Sequence, residues 1–530
     1  MLMEKYKSIK TILARVPWFY FLISIYPIIF LWAYNKTQIN ATVVIRSLII
    51  TIIAACLMFV ILYIMFRNTL KAALYGTMLL ILFFSYGRIY YWIRNIFMDV
   101  SASRHRVLVV VYGILFLGGT WLVLKWWFRL KRIQSHLNAV SLILVVIQVM
   151  QLGIYYGSLY ISSHQVSMES TATGFAAETD LPDIYFIVLD SYMRSDAMLM
   201  DFGYENSEFI DELRQIGFFV ANCSRPNYGS TELSLPTTLN MNYLLDLIAA
   251  HPILDNKDFS GFYVENNKVR EILEDLGYTS VAFRTDYLWT GMSNADIFLG
   301  MDPSSVNSDI SYQFEDMYLK STAAILFFDI NSKLHISQYI LNKFFAANNT
   351  YLPGPDFRYN GHVDTVLFTL KHLPNVVDIP GPKFVYVHLL IPHFPYVFAP
   401  DGSLLTDPGY YSGELGEPIN IEYRRKGYIF SVQFISNRIL PILGKIISDS
   451  SIPPIIVVEG DHGLSDNNRF TNLLAFYLPD GNSALYSTIT PVNSFRLIMA
   501  EYFGLDYLLL PDITYKGNEI VPETYPGCIH

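Results

Sequence analysis

The sequence of 530 residues contains little cysteine and little charge. Its three cysteines, Cys56, Cys223 and Cys528, are too few for a disulfide framework or a cysteine-rich metal site. Charged residues make up 16% of the chain, below the roughly 25% that is usual in soluble domains, whereas hydrophobic residues make up 52%. This composition excludes a single soluble globule, and it also excludes a disordered chain.

Acidic residues are nearly absent from residues 1–165, which contain only Glu4 and Asp99 against sixteen Lys and Arg. The rest of the chain is acidic, because the net charge of the whole sequence is −9. An acidic soluble part without a basic stripe argues against nucleic acid as a partner.

Five apolar runs lie in this basic first part, and most reach the roughly 20 residues that a bilayer-spanning helix needs. The third run ends early at Arg88, and we expect its span to continue through Trp92, with Arg88 facing the bundle or reaching the interface. We therefore predict a five-helix transmembrane region over residues 1–161. The runs cover residues 16–34, 43–66, 72–87, 107–128 and 138–161.

Basic residues such as Lys5, Arg67 and Lys131 lie before the first run, between runs two and three, and between runs four and five. Segments rich in Lys and Arg stay on the cytoplasmic side. We expect a cytoplasmic N-terminus and an extracytoplasmic second half, in a bacterial inner or plasma membrane. The membrane region is expected to serve as an anchor, with lipid binding as the alternative. Whether the two extracytoplasmic cysteines, Cys223 and Cys528, pair stays open.

Residues 162–181 are rich in Ser, Thr, Ala and Glu and are predicted to be a linker. From residue 182 to 530, apolar strands alternate with helical patterns, which predicts an extracytoplasmic α/β sandwich with a mostly parallel central sheet. The predicted strands cover residues 184–189, 280–283, 384–390, 455–459 and 473–477, and the clearest helices cover residues 207–216 and 422–448.

Polar residues follow three of these strands. Asp190 ends the first strand, His393 comes just after the third, and Asp461 and His462 follow the fourth. Ligands of such sheets bind outside the carboxyl ends of the strands. A carboxylate next to an imidazole, with Gly463 permitting a tight turn, can face one cation. The alternatives are a helix cap for Asp190 and a turn-forming role for His393.

A Ser- and Thr-rich segment, residues 223–240 (CSRPNYGSTELSLPTTLN), is predicted to be a loop that leads into a helix. The N-terminus of a helix there would favour an anion through its free N–H groups and its dipole. The alternative is an ordinary capping box that begins at Ser230 or Thr231.

These segments occur in an order that resembles membrane-anchored sulfatase-like proteins of the alkaline phosphatase superfamily, over roughly residues 182–515. The five-span anchor resembles that of lipoteichoic acid synthases. The segments are PDIYFIVLDSY, NYGSTELSLPTTLNMNYL, VHLLIPHFPYVFAPDG, VVEGDHG and ITPVNSFRLIMAEYFG.

The resemblance implies one divalent metal ion (Mn, Mg or Zn) held by Asp190, Thr231, Asp461 and His462. It places Thr231 at the position of the nucleophile and His393 on the substrate side. Such a one-metal set is similar to that of phosphoglycerol and phosphoethanolamine transferases.

The sequence departs from the family pattern at two positions. Sulfatases convert a Cys or Ser to formylglycine, which is not possible for Thr231, and the usual Gly after the first Asp is Ser191 here. Asn227, His388 and Arg469 are candidates for contact with the substrate anion. A turn asparagine and a surface arginine are the alternative interpretations of Asn227 and Arg469.

The sequence thus predicts a metal-dependent phospho-group transferase or phosphodiesterase with a covalent Thr231 intermediate. His393 would donate a proton to the leaving alcohol. The expected substrate is a membrane lipid or a lipid-linked glycan of the cell envelope. The alternatives are a sulfatase-like hydrolase of sulfate or phosphate esters and a non-catalytic envelope protein. The sequence does not fix the oligomeric state.

Overall fold

The computed structural model divides the chain into two units. Met1–Ile161 and Asn307–Tyr351 belong to the first, here called the membrane unit, and Ser162–Val306 and Leu352–His530 to the second, here called the sheet unit. The structure describes residues 16–36, 41–96, 103–130, 134–169, 181–250, 256–300, 314–315, 317–326, 360–411, 420–464, 468–479, 481 and 483–522.

The membrane unit is built from apolar helices. Four of them, α2 to α5, have the length and composition to cross a membrane, whereas α1 is a shorter apolar helix of 16 residues. The third helix continues past Arg88 and Trp92, as expected. The helices are α1 Phe19–Tyr34, α2 Ala41–Phe66, α3 Thr69–Ile96, α4 Ser103–Leu130 and α5 Gln134–Glu169.

Helix α5 extends into the residues predicted as a linker, since it ends at Glu169 and not at residue 161. Hydropathy marks the apolar part of a helix, whereas its hydrogen-bonded backbone can continue through polar residues. Residues 170–180, the rest of the predicted linker, lie outside the described residues.

Helices α1 and α5 run in the same direction. Near their starts, the Phe19 N–H donates to Asn138 Oδ1 at 2.9 Å. Near their later parts, the Trp32 and Tyr156 rings lie 6.3 Å apart, centroid to centroid. The C-termini of α1 and α5 therefore lie at the same end of the membrane unit, which we call the exit end.

A segment from the second half of the sequence, residues 314–326 without residue 316, packs into the membrane unit. We call it the return segment. Glu315 forms a two-fold ion pair with Arg46 of α2, with N–O distances of 2.6 and 2.5 Å. Tyr318 Oη lies 3.1 Å from Thr51 Oγ1. The backbone of the return segment lies close to α3, because a Cβ atom on Gly87 would be 2.3 Å from the Lys320 carbonyl oxygen.

The sheet unit contains a seven-stranded sheet in the order β2-β7-β6-β1-β5-β3-β4. Strands β1, β3, β4, β5 and β6 pair in parallel, whereas β7 is antiparallel to β6 and β2 to β7. The mostly parallel sheet is confirmed. The strands are β1 Ile184–Leu189, β2 Phe219–Val220, β3 Thr279–Phe283, β4 Ile297–Leu299, β5 Lys383–Leu389, β6 Ile455–Glu459 and β7 Leu474–Tyr477, and β8 Tyr515–Lys516 and β9 Glu519–Ile520 form a separate pair.

Helices cover both faces of the sheet, as predicted for an α/β sandwich. Ile187 of β1 packs in one core with α6, α7, α12 and α13, and Phe186 packs in the other with α8, α11 and α14. The short strands β2 and β4 were not predicted, because two or three residues are too few to show a period. The helices are α6 Ser195–Phe202, α7 Ser207–Gln215, α8 Thr231–Leu239, α9 Leu244–Ala250, α10 Asn256–Glu265, α11 Lys268–Asp275, α12 Asn360–His372, α13 Ile421–Asp449 and α14 Pro491–Phe503.

Cys223 is disulfide-bonded and Cys56 is free. The predicted candidate partner, Cys528, lies outside the described residues. The sequence left the pairing of Cys223 with Cys528 open, and the described residues do not include it.

A buried ion pair joins the starts of two central strands. Lys383 Nζ lies 2.6 Å from Asp183 Oδ2, with 3% and 13% of the two side chains exposed. Burial raises the pKa of Asp183 even though Lys383 acts to lower it. The pair therefore depends on both partners being present.

We expect Lys383→Met to destabilise the sheet unit by about 3–5 kcal/mol, because it leaves a buried carboxylate without its cation. The double variant Asp183→Asn/Lys383→Met should recover most of that loss. Thermal unfolding of the full chain in detergent micelles measures both. Equal melting temperatures for the single and double variants would contradict the account.

Candidate active site

Strand register brings Asp190 and Asp461 together. Val188 of β1 pairs with Glu459 of β6 and with His388 of β5. Asp190 lies two residues after Val188, and Asp461 lies two residues after Glu459. Both side chains therefore leave the sheet at the same height. His388 lies in the last full row of the sheet beneath them.

Thr231 is the first residue of α8, and the predicted helix after the Ser- and Thr-rich loop is confirmed. Ser230, the N-cap residue, makes no side-chain capping hydrogen bond in the described part of the chain, which removes the capping box as an explanation for it. Ser234, one turn into α8, donates to the backbone carbonyl of Asp461 at 2.7 Å. That bond holds the start of α8 over the carboxyl end of β6.

The four residues that the sequence resemblance assigned to a metal do meet. Ligand atoms of Asp190, Asp461 and His462 lie within 4.8 Å of one another. Thr231 Oγ1 lies 3.1 Å from His462 Nε2 and 3.4 Å from Asp190 Oδ2. All four side chains are buried.

Hydrogen bonds orient Asp461 and His462 so that one potential metal-ligand atom of each side chain takes no part in these bonds. Asp461 Oδ1 accepts from the Ser191 and His462 N–H groups at 2.8 and 3.0 Å. Its Oδ2, although buried, accepts no hydrogen bond from any residue that the structure describes. His462 Nδ1 lies 2.8 Å from the Gly463 carbonyl, so Nδ1 carries a proton and Nε2 is the nitrogen that faces Thr231 and Asp190.

This donor set fits a divalent cation. An orphaned carboxylate oxygen, a second carboxylate, a fixed imidazole nitrogen and a hydroxyl are ligands that Mn²⁺, Mg²⁺ and Zn²⁺ accept. The set does not choose among these metals. Gly463 allows the turn, because a Cβ atom there would lie 2.0 Å from the Asn468 carbonyl oxygen.

The charge of Asp190 is stabilised by three histidines. Burial alone would raise the pKa of Asp190, but the charges of His393, His388 and His462 outweigh it and hold the pKa below the usual range. The carboxylate is therefore ionised at neutral pH, which metal binding requires.

Glu459 is a site residue that the sequence reasoning missed. It ends β6, is fully buried, and accepts from Thr238 Oγ1 at 3.3 Å. Burial, and then the neighbouring Asp461, raise the pKa of Glu459 well above its usual value. Both effects favour the neutral form of Glu459, which adds no third negative charge. The signal was an acid at the end of an otherwise apolar strand.

Ser191 has a left-handed backbone conformation, with φ +62°. This conformation favours glycine, which explains the Gly that the resembling family carries there. In this chain the Ser191 hydroxyl donates to Asp190 Oδ1 at 2.9 Å, and its N–H donates to Asp461. One residue therefore orients both carboxylates.

The two histidines of the β5 region occupy different places. His388 Nε2 lies 3.3 Å from Asp190 Oδ2, so its contact is with a candidate ligand, although the sequence assigned it to the substrate. The His393 N–H donates to the Asp190 carbonyl at 3.1 Å, and its Nδ1 lies 2.5 Å from the Phe394 carbonyl. That contact leaves His393 Nε2 as the nitrogen available for proton transfer.

The two remaining candidates for substrate contact differ in their surroundings. Asn227 donates to the Ile513 carbonyl and accepts from the Val492 N–H, both at 2.8 Å, and these bonds anchor the loop. Arg469 donates to the Gly229 carbonyl at 3.1 Å. Its buried Nε–H makes no hydrogen bond with the described residues. The contacts favour a structural role for Asn227 and keep Arg469 as a candidate beside the Thr231 loop.

Comparison with protein-family models and with curated proteins gives no match. Among solved structures, the chain is similar to the Zn-bound C-terminal periplasmic domain of EptC from Escherichia coli, with a TM-score of 0.40 and 13% identity over 65% of this chain and 93% of that one.

Two further solved structures are similar. The integral membrane lipooligosaccharide phosphoethanolamine transferase A from Neisseria meningitidis has a TM-score of 0.38 and 12% identity, over 90% of this chain and 94% of that one. The phosphonate monoester hydrolase of Agrobacterium radiobacter has a TM-score of 0.38 and 12% identity, over 61% and 74%.

We expect Asp461→Asn to weaken binding of Mn²⁺ or Zn²⁺ by roughly 100-fold or more, because it removes the charge of a ligand. Substitution of a residue that only supports a ligand typically lowers metal affinity by about 10–100-fold. Glu459→Gln is the matched control. It keeps the size of the side chain and leaves the proposed ligands in place, so we expect a smaller loss of affinity than for Asp461→Asn. Calorimetric titration of the full chain in micelles measures both, and equal losses would contradict the assignment.

We expect Ser191→Gly to be more stable than Ser191→Ala by about 1 kcal/mol, because both lose the hydroxyl but only glycine relieves the left-handed backbone. Thermal unfolding in the same micelles measures the difference. An alanine variant as stable as the glycine variant would show that the conformation at residue 191 is not strained.

Proposed function

We propose that the chain is a metal-dependent phospho-group transferase or phosphodiesterase that acts through a phosphothreonine at Thr231. The observation that carries the proposal is the approach of the Thr231 hydroxyl to both Asp190 and His462. A hydroxyl at the start of a helix, buried against a carboxylate and an imidazole, is arranged as a nucleophile beside ligands for a cation.

Thr231 is positioned for attack by its own contacts. Its hydroxyl donates to Asp190 Oδ2 at 3.4 Å, which turns the proton toward a carboxylate and leaves oxygen lone pairs for a phosphorus atom. The free N–H groups in the first turn of α8 favour the phosphate oxygens. A divalent cation held by Asp190, Thr231, Asp461 and His462 would supply positive charge to the transition state.

His393 completes the proposed reaction. Its Nδ1 is bound to a backbone carbonyl, so Nε2 can give a proton to the leaving alcohol and later take one from the acceptor. The acceptor is water in a phosphodiesterase and a glycan or lipid hydroxyl in a transferase. Arg469 would contact the substrate anion.

A membrane lipid or lipid-linked glycan of the bacterial envelope is the proposed substrate. The membrane unit ties the catalytic residues to the bilayer, which raises the effective concentration of a membrane-bound substrate. In this proposal α1 to α5 are five spans, the N-terminus is cytoplasmic, and residues 182–530 form the extracytoplasmic catalytic domain apart from the return segment. Sulfate-ester hydrolysis is not proposed, because threonine cannot become formylglycine.

The test is a search for the covalent intermediate. The full chain, incubated with Mn²⁺ or Zn²⁺ and an envelope lipid extract, should gain the mass of a transferred phospho-group, and peptide mapping should place it on Thr231. We expect Thr231→Ala to abolish the adduct and to lower turnover of a phosphodiester by roughly a thousandfold or more.

Ser230→Ala is the matched control, since this neighbouring hydroxyl makes no capping bond and should not be needed. Removal of the metal with a chelator should abolish both readouts, and adding it back should restore them. Unchanged turnover in Thr231→Ala, or an adduct on another residue, would overturn the proposal.

A further inference from the structure

Arg88 is a cation within the apolar helix α3. Its guanidinium carbon lies 4.6 Å from the centroid of the Phe30 ring of α1, and the side chain is half-buried. Across the described part of the chain, no carboxylate pairs with it and no group accepts a hydrogen bond from it. An arginine in this setting is costly unless an anion accompanies it.

The depth of Arg88 follows from the helices that surround it. The Tyr20 ring packs against Gly76 early in α1 and α3, and Phe30 meets Arg88 later, so these two helices run in the same direction. Arg88 therefore lies toward the exit end. It precedes the end of α3 at Ile96 by about two turns, or about 12 Å.

This depth corresponds to the membrane interface. Helix α3 has 28 residues, or about 42 Å, and exceeds the roughly 30 Å hydrocarbon core. Aromatic residues, which mark the headgroup level in spanning helices, surround Arg88 in the sequence. They are Tyr86, Tyr90, Tyr91 and Trp92.

The surface beside Arg88 is apolar and exposed. Ile81 precedes Arg88 by seven residues and Trp92 follows it by four, so both lie on the same side of α3 as Arg88. Of these two residues, 49% and 65% are exposed. In a membrane such a surface contacts acyl chains. An anion that reaches Arg88 along this surface must therefore carry an apolar part.

Arg46, at the same end of the membrane unit, is an arginine that has a protein partner. It holds Glu315 of the return segment through two bonds. The return segment also lies against Gly87, next to Arg88, yet it gives Arg88 no carboxylate. Among the described residues, Arg46 therefore has a carboxylate partner and Arg88 has none.

We propose that Arg88 and Phe30 form a binding site for the phosphodiester of a glycerophospholipid. The guanidinium donates two parallel hydrogen bonds to phosphate oxygens, the Phe30 ring holds it in place, and the acyl chains lie along Ile81. The site does not depend on the chemistry proposed for Thr231, since it uses only residues of the membrane unit.

Native mass spectrometry of the full chain in micelles tests the site with dimyristoylphosphatidylglycerol as the probe. We expect Arg88→Gln to lower its affinity roughly tenfold. Arg88→Lys should fall between Arg88→Gln and the natural chain, because the charge remains but the paired hydrogen bonds and the planar contact with Phe30 are lost. Arg106→Gln, which removes an exposed arginine of α4, should bind as the natural chain does. Dimyristoylglycerol, which has the chains but no phosphate, should not distinguish Arg88→Gln from the natural chain.

Phe30→Leu provides a second variant that keeps the charge, and it should weaken binding about threefold. Millimolar inorganic phosphate should not displace the lipid, and displacement would show a site for free phosphate instead. Equal affinity in Arg88→Gln, or an equal loss in Arg106→Gln, would overturn the proposal. If Arg88→Gln fails to fold, unchanged binding in Phe30→Leu would do so.

Discussion

The parallel pairing of β1 with β5 and β6 is the constraint on which the candidate site depends. It sets Asp190 and Asp461 at one height and places His388 beneath them. A slip of one residue in either pairing would turn the side chains of that strand to the opposite face. The apolar residues on both faces of β1 resist such a slip, because each belongs to a packed core.

The site holds its charges at close quarters by assigning them different partners. Three histidines keep Asp190 ionised, backbone N–H groups hold Asp461, and burial raises the pKa of Glu459 and so favours its neutral form. A cluster with three ionised carboxylates at this depth would repel itself.

Sequence reasoning identified the groups that lie at strand ends, because parallel strands deliver their carboxyl ends to one edge. Asp190, Asp461 and His462 were found in this way, and Thr231 through the family resemblance. Sequence reasoning placed His388 near the substrate and did not foresee its contact with Asp190. A position within a strand does not reveal the partner on the neighbouring strand. The role of Asn227 stayed open, because a turn asparagine that anchors backbone and one that binds an anion have the same sequence.

The return segment was not foreseeable, because its thirteen-residue window is neither long nor apolar enough to indicate membrane contact. Its buried side chains, Phe314, Tyr318 and Ile325, belong to cores of the membrane unit. During synthesis, the five N-terminal helices must therefore wait for about 150 further residues before these cores are filled, since chains emerge at a finite rate. A truncated chain that begins after α5 would carry the same three side chains without the helices that bury them. It would therefore expose an apolar surface to water.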